Sequence, residues 1–173
     1  MTHDLDRTNR KNTGKAFEHE LELLFKVLES RRVARIRKVD PPTRIVGGGF
    51  RRHVIFLPNP FLDYAGAICR TGRAVFIEAK STVDHRLPIA RHGGVTEEQV
   101  EALRGWAQAD ALVGILWRYN GATAFVSMTE LETALLAGEK SLVFERLPRV
   151  EKLEAILTGA ASNSALHGRP HPA

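Results

Sequence analysis

Two short runs of strand-forming residues carry charged side chains within otherwise apolar sequence. The runs are residues 62–69 and 74–80, and the Thr71-Gly72 pair between them is typical of a hairpin turn. Residues two apart in a strand share one face of the sheet, so Glu78 and Lys80 are expected to project together. This hairpin constrains the fold strongly, because it requires a sheet that holds charged residues on one face.

A two-residue loop at Thr71-Gly72 determines which residues of the two strands lie opposite each other. It pairs Asp63 with Lys80 and Ala65 with Glu78. Two carboxylates and one ammonium group are then expected to converge on one face. Carboxylates repel each other unless a cation lies between them, and hard divalent ions such as Mg²⁺ or Mn²⁺ prefer oxygen ligands. The alternative is a surface salt bridge to Lys80, which contributes under ~1 kcal/mol.

Periodicity along the rest of the chain predicts alternating groups of helices and strands. Asn12 or Thr13 is available as the N-cap of the first helix, and Asn120-Gly121 is a strong type I′ hairpin signal. The region from 85 to 94 is predicted to be a loop. The order indicates a mixed α/β domain with one central sheet. The predicted helices are 12–31, 96–109, 129–137 and 150–157, and the predicted strands are 33–39, 54–57, 62–69, 74–80, 111–119 and 122–126.

Length and composition favour a single folded domain with polar ends. The chain has 173 residues, 43% of them hydrophobic, which is enough for one core. We expect a flexible arm at 1–11, the folded domain at 12–158 and a flexible tail at 159–173. Residues 40–60 are expected to project from the domain as a loop.

Several classes of protein are excluded. A single cysteine, Cys69, excludes a disulfide framework and a zinc ribbon, and it fits a reducing compartment. The longest apolar run, 111–117, is far shorter than the ~20 residues of a membrane helix. The sequence does not open with a basic and then apolar leader, so we expect no signal peptide. We therefore expect a cytoplasmic protein with no membrane partner.

Basic residues are concentrated in one segment. Lys and Arg total 25 against 20 Asp and Glu, and eight basic residues lie between Arg31 and His53 with one acid, Asp40. Arginines spaced along an extended segment can neutralise successive phosphates, whereas the alternative is a solvated face. The basic residues that we expect to contact nucleic acid are Arg35, Arg37, Lys38, Arg44, Arg51 and Arg52 here, and Arg73, Arg86 and Arg91 elsewhere.

Two further residues are candidates for the charged site. Glu18 lies at the edge of the apolar stripe of the first helix, roughly 20° from Phe25, where its carboxylate could reach a cleft at the sheet edge. The alternative is an ordinary exposed glutamate. Gln99 follows Thr96 by three residues, and Thr-x-x-Gln is a capping box. Capping and a place in the site are equally open for Gln99.

Five short motifs occur in a fixed order between about Asn12 and Val126. Together they resemble the RecU family of Holliday-junction resolvases, whereas the residues after Val126 match poorly. The motifs are Asn12-x-Gly14-x-x-Phe17-Glu18, Leu62-Asp63-Tyr64-x-Gly66, Gly72-Arg73, Ile77-Glu78-Ala79-Lys80-Ser81-Thr82 and Glu98-Gln99-Val100-x-x-Leu103.

The resemblance implies a homodimeric, Mg²⁺-dependent endonuclease of the PD-(D/E)xK superfamily, in which Mn²⁺ can substitute for Mg²⁺. Its fold would be restriction-endonuclease-like, an α/β fold with a mixed central sheet flanked by helices. The resemblance further implies that Asp63 and Glu78 hold the metal, that Glu18 supports the metal site, that Lys80 assists catalysis and that Gln99 lies beside it. Residues 40–60 would match the family's stalk, which enters the junction.

The function expected on this basis is resolution of four-way DNA junctions by paired phosphodiester hydrolysis during recombination and repair. The setting would be the cytoplasm of a bacterial or phage-infected cell. Two alternatives stay open. One is another nuclease of the same superfamily acting on linear, flap or single-stranded DNA, and the other is a non-catalytic junction-binding accessory.

Overall fold

The computed structural model describes residues 2–41, 43–46, 53–56, 62–91, 93–150 and 153–159. The helices are α1 (Thr2–Ser30), α2 (Glu97–Gln108), α3 (Met128–Leu136) and α4 (Leu153–Leu157), with a 3-10 helix at Phe144–Arg146. The strands are β1 (Ala34–Lys38), β2 (Thr43–Val46), β3 (His53–Phe56), β4 (Tyr64–Ile68), β5 (Ala74–Thr82), β6 (Arg86–Pro88), β7 (Leu112–Tyr119), β8 (Ala122–Ser127) and β9 (Ser141–Val143).

Five strands form one central sheet in the order β1-β4-β5-β7-β8. β5 and β7 run parallel, and the other neighbouring pairs run antiparallel. β5 therefore lies at the centre of the sheet, between an antiparallel partner and a parallel one. The mixed central sheet with helices packed on both of its faces confirms the predicted α/β fold class and its predicted arrangement.

Each face of the sheet is covered by a separate apolar cluster. On one face α1 and α4 pack on the sheet, and Phe17 and Phe25 of α1 contact the same cluster as Ile77 of β5. On the other face α2 and α3 pack with Phe76 and Trp117. Successive residues of β5 thus alternate between the two cores, as the pleat of a strand requires. Glu78 shares its face with Phe76, on the side of α2.

The first helix is longer than its periodicity predicts. It begins at Thr2, whereas the sequence places the N-cap at Asn12 or Thr13 and an arm before it. The buried residues Phe17, Leu21, Phe25 and Leu28 follow the predicted stripe. The division into arm, domain and tail stays a prediction, and residues 160–173 lie outside the described part.

Two small antiparallel sheets accompany the central one. β2 pairs with β3 within residues 40–60, where a projecting loop is expected. β6 pairs with β9, so the segment 85–94 contains a short strand where the sequence predicts only a loop. β3 overlaps the predicted strand 54–57, whereas β2, β6 and β9 are missed because strands of three or four residues are too short to show an alternating pattern. No helix in the described ranges is long and apolar enough to cross a membrane.

The turn between β4 and β5 differs from the predicted one. Tyr64 pairs with Ile77, and the Gly72 N–H donates to the Ile68 carbonyl, so that four residues, 69–72, form the loop instead of two. The register therefore moves by two residues and brings Asp63 opposite Glu78, not opposite Lys80. A shift of two keeps every side chain on its face, so the predicted convergence of charges survives the error.

The turn at Asn120-Gly121 is confirmed. Asn120 has a φ of 46° and Gly121 a φ of 76°. A type I′ turn requires a positive φ at both central residues, and asparagine and glycine are the residues that adopt it most readily. The β7–β8 hairpin therefore forms as its local sequence predicts.

Close packing at Gly114 of β7 generates a test of the fold. A Cβ atom there would lie 2.3 Å from the Phe125 ring and 2.6 Å from the Val126 carbonyl oxygen. We expect Gly114→Ala to lower the free energy of unfolding by about 1–3 kcal/mol. Gly105 of α2 has open space around it, so Gly105→Ala should raise it by about 0.5–1 kcal/mol. Urea unfolding measures both changes. Changes in the free energy of unfolding that have the same sign in the two variants would contradict the packing at Gly114.

Candidate metal centre

Glu78 lies in the middle of β5 and is the one charged side chain of the described residues that is fully buried, with 2% exposed. Its burial follows from its position, because β5 is central and α2 covers this face. Burying an isolated carboxylate is costly, so such a group needs partners. Two side chains provide them. Lys80 Nζ lies 2.8 Å from Glu78 Oε1, and Gln99 Nε2 donates to the same oxygen at 2.5 Å.

Gln99 connects the beginning of α2 to this carboxylate. Thr96 is the N-cap of α2, its hydroxyl accepts the Gln99 N–H, and Gln99 Oε1 accepts the Thr96 N–H. The side-chain amide therefore uses its oxygen for capping and its nitrogen for Glu78. The capping interpretation is confirmed, and the capping geometry also aims the amide nitrogen at Glu78 of β5; a role of Gln99 in catalysis stays a prediction.

Asp63 comes directly before β4 and lies beside Glu78. Its carbonyl accepts the Val39 N–H at 2.8 Å, and its Oδ2 accepts the Ala79 N–H at 2.9 Å. These two bonds fix both the backbone and the carboxylate next to the strand that carries Glu78. The observed register thus brings together the three residues, Asp63, Glu78 and Lys80, that the hairpin predicts.

The electrostatics of this cluster are unbalanced toward negative charge. Burial first, and then the charge of Asp63, raises the pKa of Glu78 to about 7, against the partial compensation of Lys80. Two carboxylates with one ammonium therefore favour an additional cation. Carboxylate oxygens are the ligands that Mg²⁺ and Mn²⁺ prefer, so Asp63 and Glu78 fit such an ion chemically.

Among the described residues, the cluster contains two carboxylates as candidate side-chain ligands, Asp63 and Glu78. Across the described ranges, no group of three His, Cys, Asp or Glu side chains is close enough to hold a metal ion. Octahedral Mg²⁺ commonly keeps several waters and binds one or two carboxylates together with substrate phosphate oxygens. A two-carboxylate site is therefore compatible with Mg²⁺.

Glu18, the third predicted ligand, is paired with another residue. Its Oε2 lies 2.5 Å from Lys38 Nζ, and its carbonyl accepts the Tyr64 hydroxyl at 3.3 Å. The pKa of Lys38 is raised chiefly by Glu18 and also by the charge of Asp63, which lies within electrostatic range. Glu18 is thus on the Lys38 side of the site, and its role toward a metal stays a prediction.

Most of the predicted DNA-binding residues that the structure describes have partners within the chain. Arg35 and Arg37 pair with Glu29, and Lys38 pairs with Glu18. Arg73 pairs with Asp110, and Arg86 donates to the Ser141 hydroxyl. Arg44 and Arg91 are exposed, whereas Arg51 and Arg52 lie outside the described residues. The basic segment is therefore less positive than its sequence indicates.

A cleft that no sequence pattern indicates lies beyond the end of β5. A cavity of about 600 Å³ lies between α1 and the β7–β8 turn, lined in part by Thr82 and Arg118. Arg118 ion-pairs with Glu20 and lies over the Phe17 ring, 5.5 Å from its centre. No local pattern could predict it, because the cleft joins α1 to a strand about 100 residues later in the chain.

Comparison with known proteins shows a distant structural similarity. No family model matches the chain, and no curated protein matches it. Among solved structures it is similar to Hjc of Archaeoglobus fulgidus, described as a Holliday junction resolvase from an archaeal hyperthermophile, with 18% sequence identity and a TM-score of 0.43. The match covers 67% of this chain and 73% of that one. Membership of the RecU family stays a prediction.

The raised pKa of Glu78 predicts how stability depends on pH when divalent metal is removed with EDTA. The folded chain holds the Glu78 proton more tightly than the unfolded chain, whose pKa is 4.5. The stabilisation from that proton is complete below about pH 4.5 and is lost as pH rises through about 7. Glu78→Gln cannot ionise, so its stability relative to the native protein should rise by about 2–3 kcal/mol between about pH 5 and 8.

Urea unfolding in EDTA across this pH range measures the difference. Glu139→Gln serves as the control, because Glu139 is exposed and pairs only with Arg146 among the contacts of the described residues. Its stability should follow that of the native protein. Parallel curves for the native protein and Glu78→Gln would contradict the assignment of a proton to Glu78.

Proposed function

We propose that this protein is a Mg²⁺-dependent endodeoxyribonuclease that cleaves four-way DNA junctions. The observation that supports hydrolysis most directly is the buried Glu78 beside Asp63 and Lys80 on the central hairpin. A fold that only needed stability would be expected to place an apolar residue at the position of Glu78, because a buried carboxylate next to a second one destabilises the folded state. The grouping is better explained by chemistry than by packing.

Each residue of the site has a distinct task in this proposal. Asp63 and Glu78 hold the Mg²⁺ ion, which supplies Lewis-acid stabilisation of the phosphate and a water of lowered pKa. Gln99 fixes Glu78 by donating to Oε1, and the Ala79 N–H fixes Asp63. The two carboxylates therefore have little freedom to turn away from the ion.

Lys80 contributes a positive charge next to the reacting phosphate. Its ammonium group lies on the same strand face as Glu78 and is about one fifth exposed, so it can donate to a ligand while remaining tied to the site. A fixed cation can stabilise the charge that develops on a phosphate oxygen or orient the attacking water. Either task requires Nζ to stay near the metal ligands, where the ion pair with Glu78 holds it.

Junction selectivity rests on the resemblance of the ordered motifs to junction resolvases. In this proposal the protein acts as a homodimer, because two sites related by a twofold axis can nick two strands symmetrically. The β2–β3 hairpin, with Arg44 exposed, lies in the segment that corresponds to the stalk. A nuclease for linear, flap or single-stranded DNA and a non-catalytic accessory are the competing outcomes of the test.

Cleavage of an immobile four-way junction with Mg²⁺ tests the proposal. A linear duplex of one arm's sequence is the matched substrate, and Glu78→Gln and Glu139→Gln are the matched variants, since each removes one carboxylate. We expect paired symmetric nicks in the junction alone. Glu78→Gln should reduce the rate by at least about 100-fold, because it removes a metal ligand, whereas Glu139→Gln should retain it.

Other outcomes distinguish the alternatives. Equal cleavage of the linear duplex would still support a nuclease but would exclude selectivity for junctions. Tight junction binding with no cleavage in either Mg²⁺ or Mn²⁺ would favour the accessory protein. Full activity of Glu78→Gln would contradict the proposed site itself.

A further inference from the structure

One carboxylate of α1 bridges two arginines of the edge strand β1. Arg35 Nε lies 3.2 Å from Glu29 Oε1, and Arg37 Nη2 ion-pairs with Glu29 Oε2. Among the ion pairs of the described residues, Glu29 alone is shared by two arginines. Both arginine side chains are more than half exposed, whereas Glu29 is one third exposed. Both ion pairs are therefore open to solvent, and the Glu29 carboxylate lies between the two guanidinium groups.

This arrangement has the chemistry of a phosphate site. A carboxylate and a phosphodiester each carry one negative charge and offer two oxygens to guanidinium donors. Each arginine has five N–H donors. Arg35 directs one of them at Glu29, and Arg37 directs one at Glu29 and one at the Ile36 carbonyl. The oxygens of Glu29 thus stand where phosphate oxygens could be bound.

The two arginines lie close to the candidate metal centre along the sheet. Arg37 pairs with Ala65 of β4, and Asp63 is two residues before Ala65. Diagonal neighbours of this kind have Cα atoms about 7–8 Å apart. Because residues two apart share a face, Asp63 and Ala65 are on one side of the sheet. Glu29 belongs to α1, on the other face, so the two guanidinium groups lie at the β1 edge of the sheet. A nucleic-acid strand that is bound at Asp63 and continues across this edge would bring further phosphates to Arg35 and Arg37.

We propose that Arg35 and Arg37 form a binding site for a DNA backbone phosphate and that Glu29 occupies this site in the free protein. The phosphate displaces the carboxylate when DNA binds, so Glu29 lowers the affinity of the protein for nucleic acid. The inference rests on the proposed function and adds to it an internal competitor for the substrate. A competitor at the β1 edge restrains binding of any DNA that crosses this edge, including unbranched duplex.

The variant Glu29→Gln tests this inference without removing an arginine. Binding is measured by fluorescence anisotropy in EDTA, with a labelled duplex and a labelled four-way junction, over a range of salt concentrations. We expect Glu29→Gln to bind the duplex about five- to tenfold more tightly, because two exposed ion pairs no longer compete. The slope of log K against log salt should become more negative by up to about one.

Three further variants locate the effect. Arg35→Gln/Arg37→Gln should bind DNA more weakly than the native protein, and adding Glu29→Gln to it should change nothing, because the competitor then has no site to block. Glu139→Gln changes the net charge by the same amount and frees Arg146 elsewhere. It should leave the affinity and the salt slope unchanged.

The outcomes separate this inference from the proposed function. DNA binding by the native protein with equal or weaker binding by Glu29→Gln would overturn the inference and leave the nuclease proposal standing. An equal gain from Glu139→Gln, or a gain that persists without the two arginines, would also overturn it. If Glu29→Gln does not fold, an unchanged affinity of the double arginine variant overturns it. No DNA binding by the native protein would overturn both.

Discussion

Burial of the Glu78 carboxylate against Asp63 is the constraint on which the rest of this structure depends. An ionised carboxylate inside a sheet is unfavourable, and a second one nearby makes it more so. The chain compensates with the donors that it has, Lys80 on the same strand and Gln99 at the start of α2. The compensation is incomplete, because the pKa of Glu78 remains raised to about 7. An added divalent cation would complete it.

The sheet order explains why these groups meet. β5 has β4 as its antiparallel neighbour and β7 as its parallel neighbour, and the parallel connection passes through α2. The same connection sets the N-terminus of α2 next to Glu78, so that the capping residue Gln99 also serves the site. A single topological unit thus supplies both carboxylates, the lysine and the amide. Substitutions in the α2 cap are therefore expected to disturb the hydrogen bond from Gln99 to Glu78.

Local sequence patterns predict much of this fold, since their causes are local. The Asn120-Gly121 turn and the Thr96–Gln99 capping box need only neighbouring residues, and both form as predicted. The register of the central hairpin is wrong by two residues, because the loop length depends on hydrogen bonds of Ile68 that sequence does not display. Short strands such as β6 depend on a distant partner, β9, and could not be predicted either.

The ion pairs also depend on contacts between residues that are distant in the sequence. The arginines of β1 alternate with apolar residues as a free basic ribbon would, yet α1 places Glu29 against them and Glu18 against Lys38. Charge in sequence is thus a poor measure of charge available to a ligand, since helix packing determines which cations are neutralised. The dimer, the metal and the RecU family stay predictions, because each depends on a partner molecule or on relatives beyond this chain.

Calorimetric titration of the protein with Mn²⁺ in buffers of different ionisation enthalpy tests the central claim most directly. A metal bound by Asp63 and Glu78 must displace the Glu78 proton, whose pKa is about 7. The account predicts release of close to one proton per site at about pH 6 and almost none at about pH 8. The heat of Mn²⁺ binding and the proton release should both vanish in Glu78→Gln. Mn²⁺ binding with the same proton release at both pH values, or with full affinity in Glu78→Gln, would contradict the account.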